Sequence, residues 1–137
     1  MSNLIRFGVS IDKNLVSGFD ALIERRKCGN RSEAIRDLIR RELVDQEWAD
    51  DKIVAGAITL IYDHHKRELL NHLTSIQHDY QGLIIATQHI HLDHYNCLEM
   101  IAAKGKAAEI KKLADTLRLT KGVKHLSLNA ATTGSGI

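Results

Sequence analysis

Side chains able to coordinate a metal gather in one stretch of this chain. Of its eight histidines, six fall between His64 and His91, and His94 lies just beyond. His89 and His91 flank Ile90, and Cys97 follows shortly after. If His89-Ile90-His91 is part of a strand, both imidazoles project from one face, roughly 6–7 Å apart along the backbone. Cys97 then opens the returning strand and can bring a thiolate beside them. A fourth donor is needed, and His78 lies at the end of the preceding helical stretch. Two or three imidazoles with one thiolate suit late first-row divalent ions. Nickel and copper(II) favour a square plane and zinc a tetrahedron. The spacing leaves those geometries open.

A donor set of this kind has no open coordination position for a substrate. No nucleophile–base pair or phosphate-binding loop accompanies it, so an enzyme is not expected. His64, His65, His72 and His125 read as surface residues or as supports for the ligands. His94, in a hairpin turn, is a candidate for a weak extra site. Cys28 falls in a turn and needs no role.

The elements that would position these donors follow from hydropathy patterning. Ile53–Tyr62 is rich in β-formers, and Lys66 to about Asp79 places Leu69, Leu70, Leu73 and Ile76 on one helical side. Leu83–Leu92 reads as a strand, Asp93-His94-Tyr95-Asn96 as a turn, and Cys97–Ala103 as its hairpin partner. Lys106–Leu117 is a second helix burying Ile110, Leu113 and Leu117, and Val123–Leu128 closes as a strand. This βαββαβ order is the ferredoxin-like arrangement, two helices on one face of a four-stranded sheet.

A different pattern precedes it. Ile5, Phe7, Val9 and Ile11 alternate with Arg6, Gly8 and Ser10, the period of a half-buried strand. Asp12 caps a first amphipathic helix carrying Leu15, Val16, Phe19, Leu22 and Ile23, which runs to about Arg26. Gly29 suits a left-handed position after it. Asn30 begins a second helix, with Glu33 completing a capping-box pattern, and the helix ends near Trp48. The polar residues around Asp50-Asp51-Lys52 mark a boundary. Three segments result: 1–48, 49–129, and a Thr/Gly/Ser-rich tail, 130–137, expected to be disordered.

Composition sets limits on function. With 44% hydrophobic and 26% charged residues, wholesale disorder is excluded. The net charge of +2 is too small to announce nucleic acid by itself, so that argument must come from placement. No apolar run approaches the roughly 20 residues needed to span a bilayer. No signal peptide is visible, and two cysteines make no disulfide framework, which points to a reducing cytoplasm.

Placement supplies the nucleic-acid argument. A lone strand ahead of two helices cannot satisfy its backbone hydrogen bonds, and antiparallel pairing with the same strand of a second chain solves this. The resulting two-stranded ribbon fits the major groove of DNA. Its outward residues would be Arg6, Gly8 and Ser10. The N-terminus of the second helix, at Asn30, Arg31 and Ser32, would present backbone N–H groups to phosphate. Arg6-Phe7-Gly8-Val9-Ser10-Ile11 followed by Asn30-Arg31-Ser32-Glu33-Ala34-Ile35-Arg36-Asp37 resembles a ribbon-helix-helix repressor.

Joined to a ferredoxin-like segment bearing His89-Ile90-His91 and Cys97-Leu98-Glu99, the whole chain from Ile5 to Leu128 resembles the nickel-responsive transcriptional regulators. The resemblance implies an α+β chain, with an N-terminal ribbon-helix-helix (βαα) domain and a C-terminal ACT-like domain. It implies that His89, His91 and Cys97 ligate nickel in one subunit and that His78 completes the plane from a neighbouring subunit. One nickel ion per subunit, a homotetramer built as a dimer of dimers, and a double-stranded DNA operator are implied as well. Glu33 and Asp37 match positions that hold a second cation in some members. Two other readings stay open: a sensor of copper or cobalt, and a ribbon-helix-helix antitoxin.

Overall fold

The computed structural model describes residues 3–137, so the first two positions of the expected 1–48 segment lie outside it. The chain divides by internal contacts into two units, residues 1–41 and 42–137.

In the first unit, helix α1 spans Lys13–Arg25, and the Asp12 carboxylate accepts the Asn14 N–H at 3.2 Å. It ends where expected, but the left-handed residue after it differs. Lys27, not Gly29, takes the left-handed conformation, at φ 53°. The Cys28 N–H then donates to the Ile23 carbonyl at 3.0 Å and the Lys27 N–H to Glu24 at 3.2 Å. This is the paired Schellman closure, and it satisfies two helix-terminal carbonyls at the cost of a left-handed residue with a Cβ. Helix α2 spans Arg31–Ala49, and the Asn30 side chain accepts the Glu33 N–H at 2.9 Å. The return half of the capping box is replaced, because the Glu33 carboxylate pairs with Arg36.

Residues 3–12 adopt neither helix nor strand, although Ile5–Ile11 carries strand alternation. The physical reason is the one the alternation implies: among the described residues, this unit contains no second strand to complete a ladder. Ile5 and Phe7 are 86% and 72% exposed. With Val9, Ile11, Phe19 and Ile35 they border an open cavity of about 780 Å³.

The second unit follows the expected order, with β1 (Ile53–Asp63), α3 (Arg67–Asp79), β2 (Ile84–His91), β3 (Asn96–Lys106), α4 (Ala107–Arg118) and β4 (Val123–Ala130). The sheet order is β2-β3-β1-β4 with every pairing antiparallel, the ferredoxin-like topology. Alternate residues of β1, namely Val54, Ile58, Leu60 and Tyr62, are buried, as period 2 requires. They pack with Leu69, Leu73 and Ile76 of α3 and with Ile110, Leu113 and Leu117 of α4.

Trp48 belongs to this core. It packs with Val54, Ala103, Ala107 and Ile110, and its indole N–H donates to the Ala131 carbonyl at 2.8 Å. Gly56 makes room for it, since a Cβ there would lie 3.4 Å from the Trp48 ring and 3.3 Å from both Ile110 and Leu128. The contact division therefore falls inside α2, ahead of the polar boundary read from the sequence. The last strand also runs further than expected, to Ala130, and the Ala131 N–H bonds the Ala55 carbonyl at 2.9 Å.

Candidate metal centre

The β2–β3 hairpin sets the donor geometry through its register. His91 is paired with Cys97, and His89 with Glu99. Directly opposed residues of an antiparallel pair share a face, so all four side chains lie on one side of the sheet. On the next strand Tyr62 pairs with Cys97 and Leu60 with Glu99, which identifies that side as the helix-covered one. Because β2 is an edge strand, His89 and His91 stand exposed at the rim, while Cys97 and Glu99 are only 2% and 1% exposed.

Glu99 is the organising residue that the sequence reading did not single out. Its Oε1 accepts the Tyr62 hydroxyl at 2.6 Å and lies 3.1 Å from His89 Nε2. Its Oε2 accepts the Gln77 amide at 2.6 Å. Burial, followed by the hydrogen bond and charge of Glu99 and then by Cys97, pushes the Tyr62 hydroxyl far above the usual tyrosine range. A signal was available, because Glu99 stands two residues from Cys97 and therefore on its face. Gln77 likewise adjoins His78.

His78 occupies the last turn of α3 and is exposed. Gln77 turns toward Glu99, but the fold does not bring His78 into a common group with His89, His91 and Cys97. Among the described residues, no three His, Cys, Asp or Glu side chains converge as a ready ligand set. The two exposed imidazoles of β2 each have a neighbour. His89 meets Glu99, and His91 stacks on His64 with ring centroids 4.2 Å apart and planes 5° from parallel.

The chemistry of the donors fits a late first-row divalent ion. Two imidazoles and a thiol lie on adjacent strands of one sheet face, with a carboxyl fixed behind one imidazole to orient it. The turn that closes the hairpin is itself held firmly. Asp93 Oδ1 accepts the Tyr95 and Asn96 N–H groups, each at 2.8 Å. The Asn96 side-chain amide, followed by these backbone donors, holds the Asp93 carboxyl down at about 2.

In the first unit, Arg6, Gly8 and Ser10 are exposed, and the space around Gly8 is open. Ser32 is exposed too. Asn30 and Arg31 are engaged, Asn30 in capping and Arg31 in a two-point bond to Asp20 at 2.9 Å for each contact. That bond lowers the Asp20 carboxyl and raises the Arg31 guanidinium. Glu33 and Asp37 pair with Arg36 and Arg41.

Comparison with known proteins covers both units. The family described as the NikR C-terminal nickel-binding domain matches residues 55–131, and the ribbon-helix-helix proteins of the copG family match residues 5–46. A nickel-responsive regulator of Syntrophus aciditrophicus is 56% identical over 134 residues, covering 98% of each chain. One of Chlorobium limicola is 55% identical over 98% of this chain and 100% of its own. One of Nitratidesulfovibrio vulgaris is 53% identical over 100% of this chain and 99% of its own. With both family segments in order and relatives matched from end to end, the chain belongs to the nickel-responsive regulators, a family of transcriptional regulators and not of enzymes.

Proposed function

We propose that the chain is a nickel-dependent repressor that binds a palindromic operator through paired N-terminal arms when nickel is held in the C-terminal unit. The observation that carries this reading is the register of the hairpin, in which His91 opposes Cys97 with His89 on the same face. In the proposed centre His89, His91 and Cys97 come from one chain and His78 from a neighbouring one, with one nickel ion per chain. When bound, nickel would supply a bond between chains. Glu99 keeps His89 in place, and Gln77 ties the end of α3, next to His78, to the same carboxyl.

The first unit supports pairing with a second copy. Ile5, Phe7, Val9 and Ile11 are apolar, alternate strictly and stand exposed in a single chain. Two such segments satisfy each other's backbone, and the apolar side of the ribbon they form rests on the helices of both chains. Arg6, Gly8 and Ser10 then face outward, at the width of a two-stranded ribbon that the major groove admits. Asn30, Arg31 and Ser32 meet phosphate at the start of α2, Arg31 by leaving Asp20. Two such dimers joined through the C-terminal units make a homotetramer, a dimer of dimers in the cytoplasm. Glu33 and Asp37 are candidates for a second cation, which has Arg36 and Arg41 to displace.

Nickel couples to DNA only as far as it favours one tetramer arrangement over another. The test is operator DNA selected from a random pool with nickel-loaded protein, then titrated with and without nickel. Tight binding with nickel and a loss of at least tenfold in chelator is the expected result. Equal affinity in both sinks the sensing claim.

A further inference from the structure

His64 sits on the connection between β1 and α3, and its amide donates to the Tyr95 carbonyl at 3.0 Å, tying that connection to the β2–β3 hairpin. One neighbour of its ring is His65, centroids 4.3 Å apart, and His65 in turn meets His94 at 4.9 Å. Another is His91, in the near-parallel stack. The Nε2 atom of His64 is buried and has no hydrogen-bond partner. A buried imidazole nitrogen normally finds one. The ring contacts of His64 are with His65 and His91, and the parallel one is with a candidate nickel ligand.

That contact bears on metal capture. Among the described residues no three donors converge, so at least one side chain of the His89, His91 and Cys97 set has to turn before all three can share an ion. His91 is the one held by a ring stack. Turning His91 breaks the stack. We propose that His64 is a positioning residue that parks His91 off the metal centre, so that nickel capture includes the unstacking of this pair. The proposal rests on the reading of His91 as a ligand. It adds that the free state of that ligand is held by a specific neighbour, which weakens and slows capture.

A contact present only in the free state opposes binding, so its removal strengthens binding. The full-length His64→Ala protein takes up nickel about 2- to 10-fold more tightly, or about 0.4–1.4 kcal/mol at 1.4 kcal/mol per tenfold, which matches the size of an aromatic pair contact. His64→Phe keeps a flat ring without the nitrogen and stays within about twofold of the parent. Nickel affinity is read by competition with a chelator, following the nickel–thiolate absorption. In the metal-free protein, the His91 ring resonances shift in His64→Ala and much less in His64→Phe.

Weaker nickel binding by His64→Ala would make His64 a donor and overturn the proposal. Unchanged affinity, or His91 resonances indifferent to the substitution, would overturn it as well. Failure of the ligand assignment looks different: nickel uptake would survive Cys97→Ser and His91→Ala, while the resonances of the metal-free protein would still report the stack.

Discussion

The two units treat their apolar side chains in opposite ways. The C-terminal unit buries Ile58, Leu60, Tyr62, Leu73, Ile101, Leu113 and Leu117 between a sheet and two helices of the same chain. Among the described residues of the N-terminal unit only Ala34 is buried, while Leu4, Ile5, Phe7 and Val9 stand exposed. Both have clean sequence periodicity. The difference lies in where the complementary surface is found. A sheet with two helices over it closes on itself, whereas among the described residues the alternating segment ahead of α1 leaves its apolar side exposed. One unit is stabilised by its own contacts, and in the proposed assembly the other is stabilised by association.

The largest effect that tests this contrast is core truncation. Leu113→Ala in α4 is expected to cost about 2–5 kcal/mol, lowering the unfolding transition of the C-terminal unit at any protein concentration. Phe7→Ala is expected to leave that transition in place and to abolish a separate transition whose midpoint rises with concentration. Urea unfolding at two concentrations tenfold apart measures both. If Phe7→Ala lowers the C-terminal transition as much as Leu113→Ala does, the contrast is wrong.

A smaller effect sharpens it at the candidate metal centre. Tyr62→Phe removes one donor from the buried Glu99 carboxyl, for an expected loss of about 1–3 kcal/mol. The pH dependence has a definite sign. The folded protein holds the Tyr62 proton more tightly than the unfolded chain, so this contribution is complete below the ordinary tyrosine pKa of about 10. It declines as pH rises above that value, because unfolded tyrosine ionises first. The parent should lose stability from about pH 10 upward more steeply than Tyr62→Phe. Parallel alkaline limbs would remove Tyr62 from the account.

What the sequence disclosed follows the same division. The alternation in Ile53–Tyr62 and the Leu69, Leu73, Ile76 stripe named their elements because each pattern meets its complement within the chain. His89, His91 and Cys97 were visible because residue type and period 2 suffice to put them on one face. For Glu99 the same period 2 gave its face but not its role, because a lone glutamate in a strand reads as solvated until Tyr62 and Gln77 are known to reach it. Trp48 was placed at a boundary by the polar residues around it, yet Gly56 opens the cleft that it fills. The end of α1 was legible, but its left-handed residue was not, since Lys27 and not Gly29 takes that conformation to make the Schellman bonds. In the first unit the strand period was legible, but the strand itself requires a partner.

In the N-terminal unit, the exposed ion pair between Arg31 and Asp20 gives a finer test. Asp20→Ala releases the guanidinium. If Arg31 then meets phosphate more readily, operator binding strengthens and its salt dependence steepens by about 0.9 in log–log slope for each phosphate gained. An unchanged slope would remove Arg31 from the DNA-contacting set.

The smallest expected effect belongs to the hairpin turn of the C-terminal unit. Asp93 is exposed, so removing its charge changes global stability little. Its carboxyl is nevertheless held at about 2 by the Asn96 side chain and by the Asn96 and Tyr95 amides. A depressed carboxyl contributes fully above the unfolded value near 3.9 and loses that contribution as pH falls through about 2. In the metal-free protein, the Asp93 carboxyl resonance should therefore titrate below those of the other exposed carboxylates. Asp93→Ala should broaden the Tyr95 and Asn96 amide signals without moving those of Ile58 or Leu60. If the core signals move as well, the turn is part of the same cooperative unit as the core, and the boundary between self-sufficient and locally held structure lies closer to the candidate metal centre than the burial pattern implies.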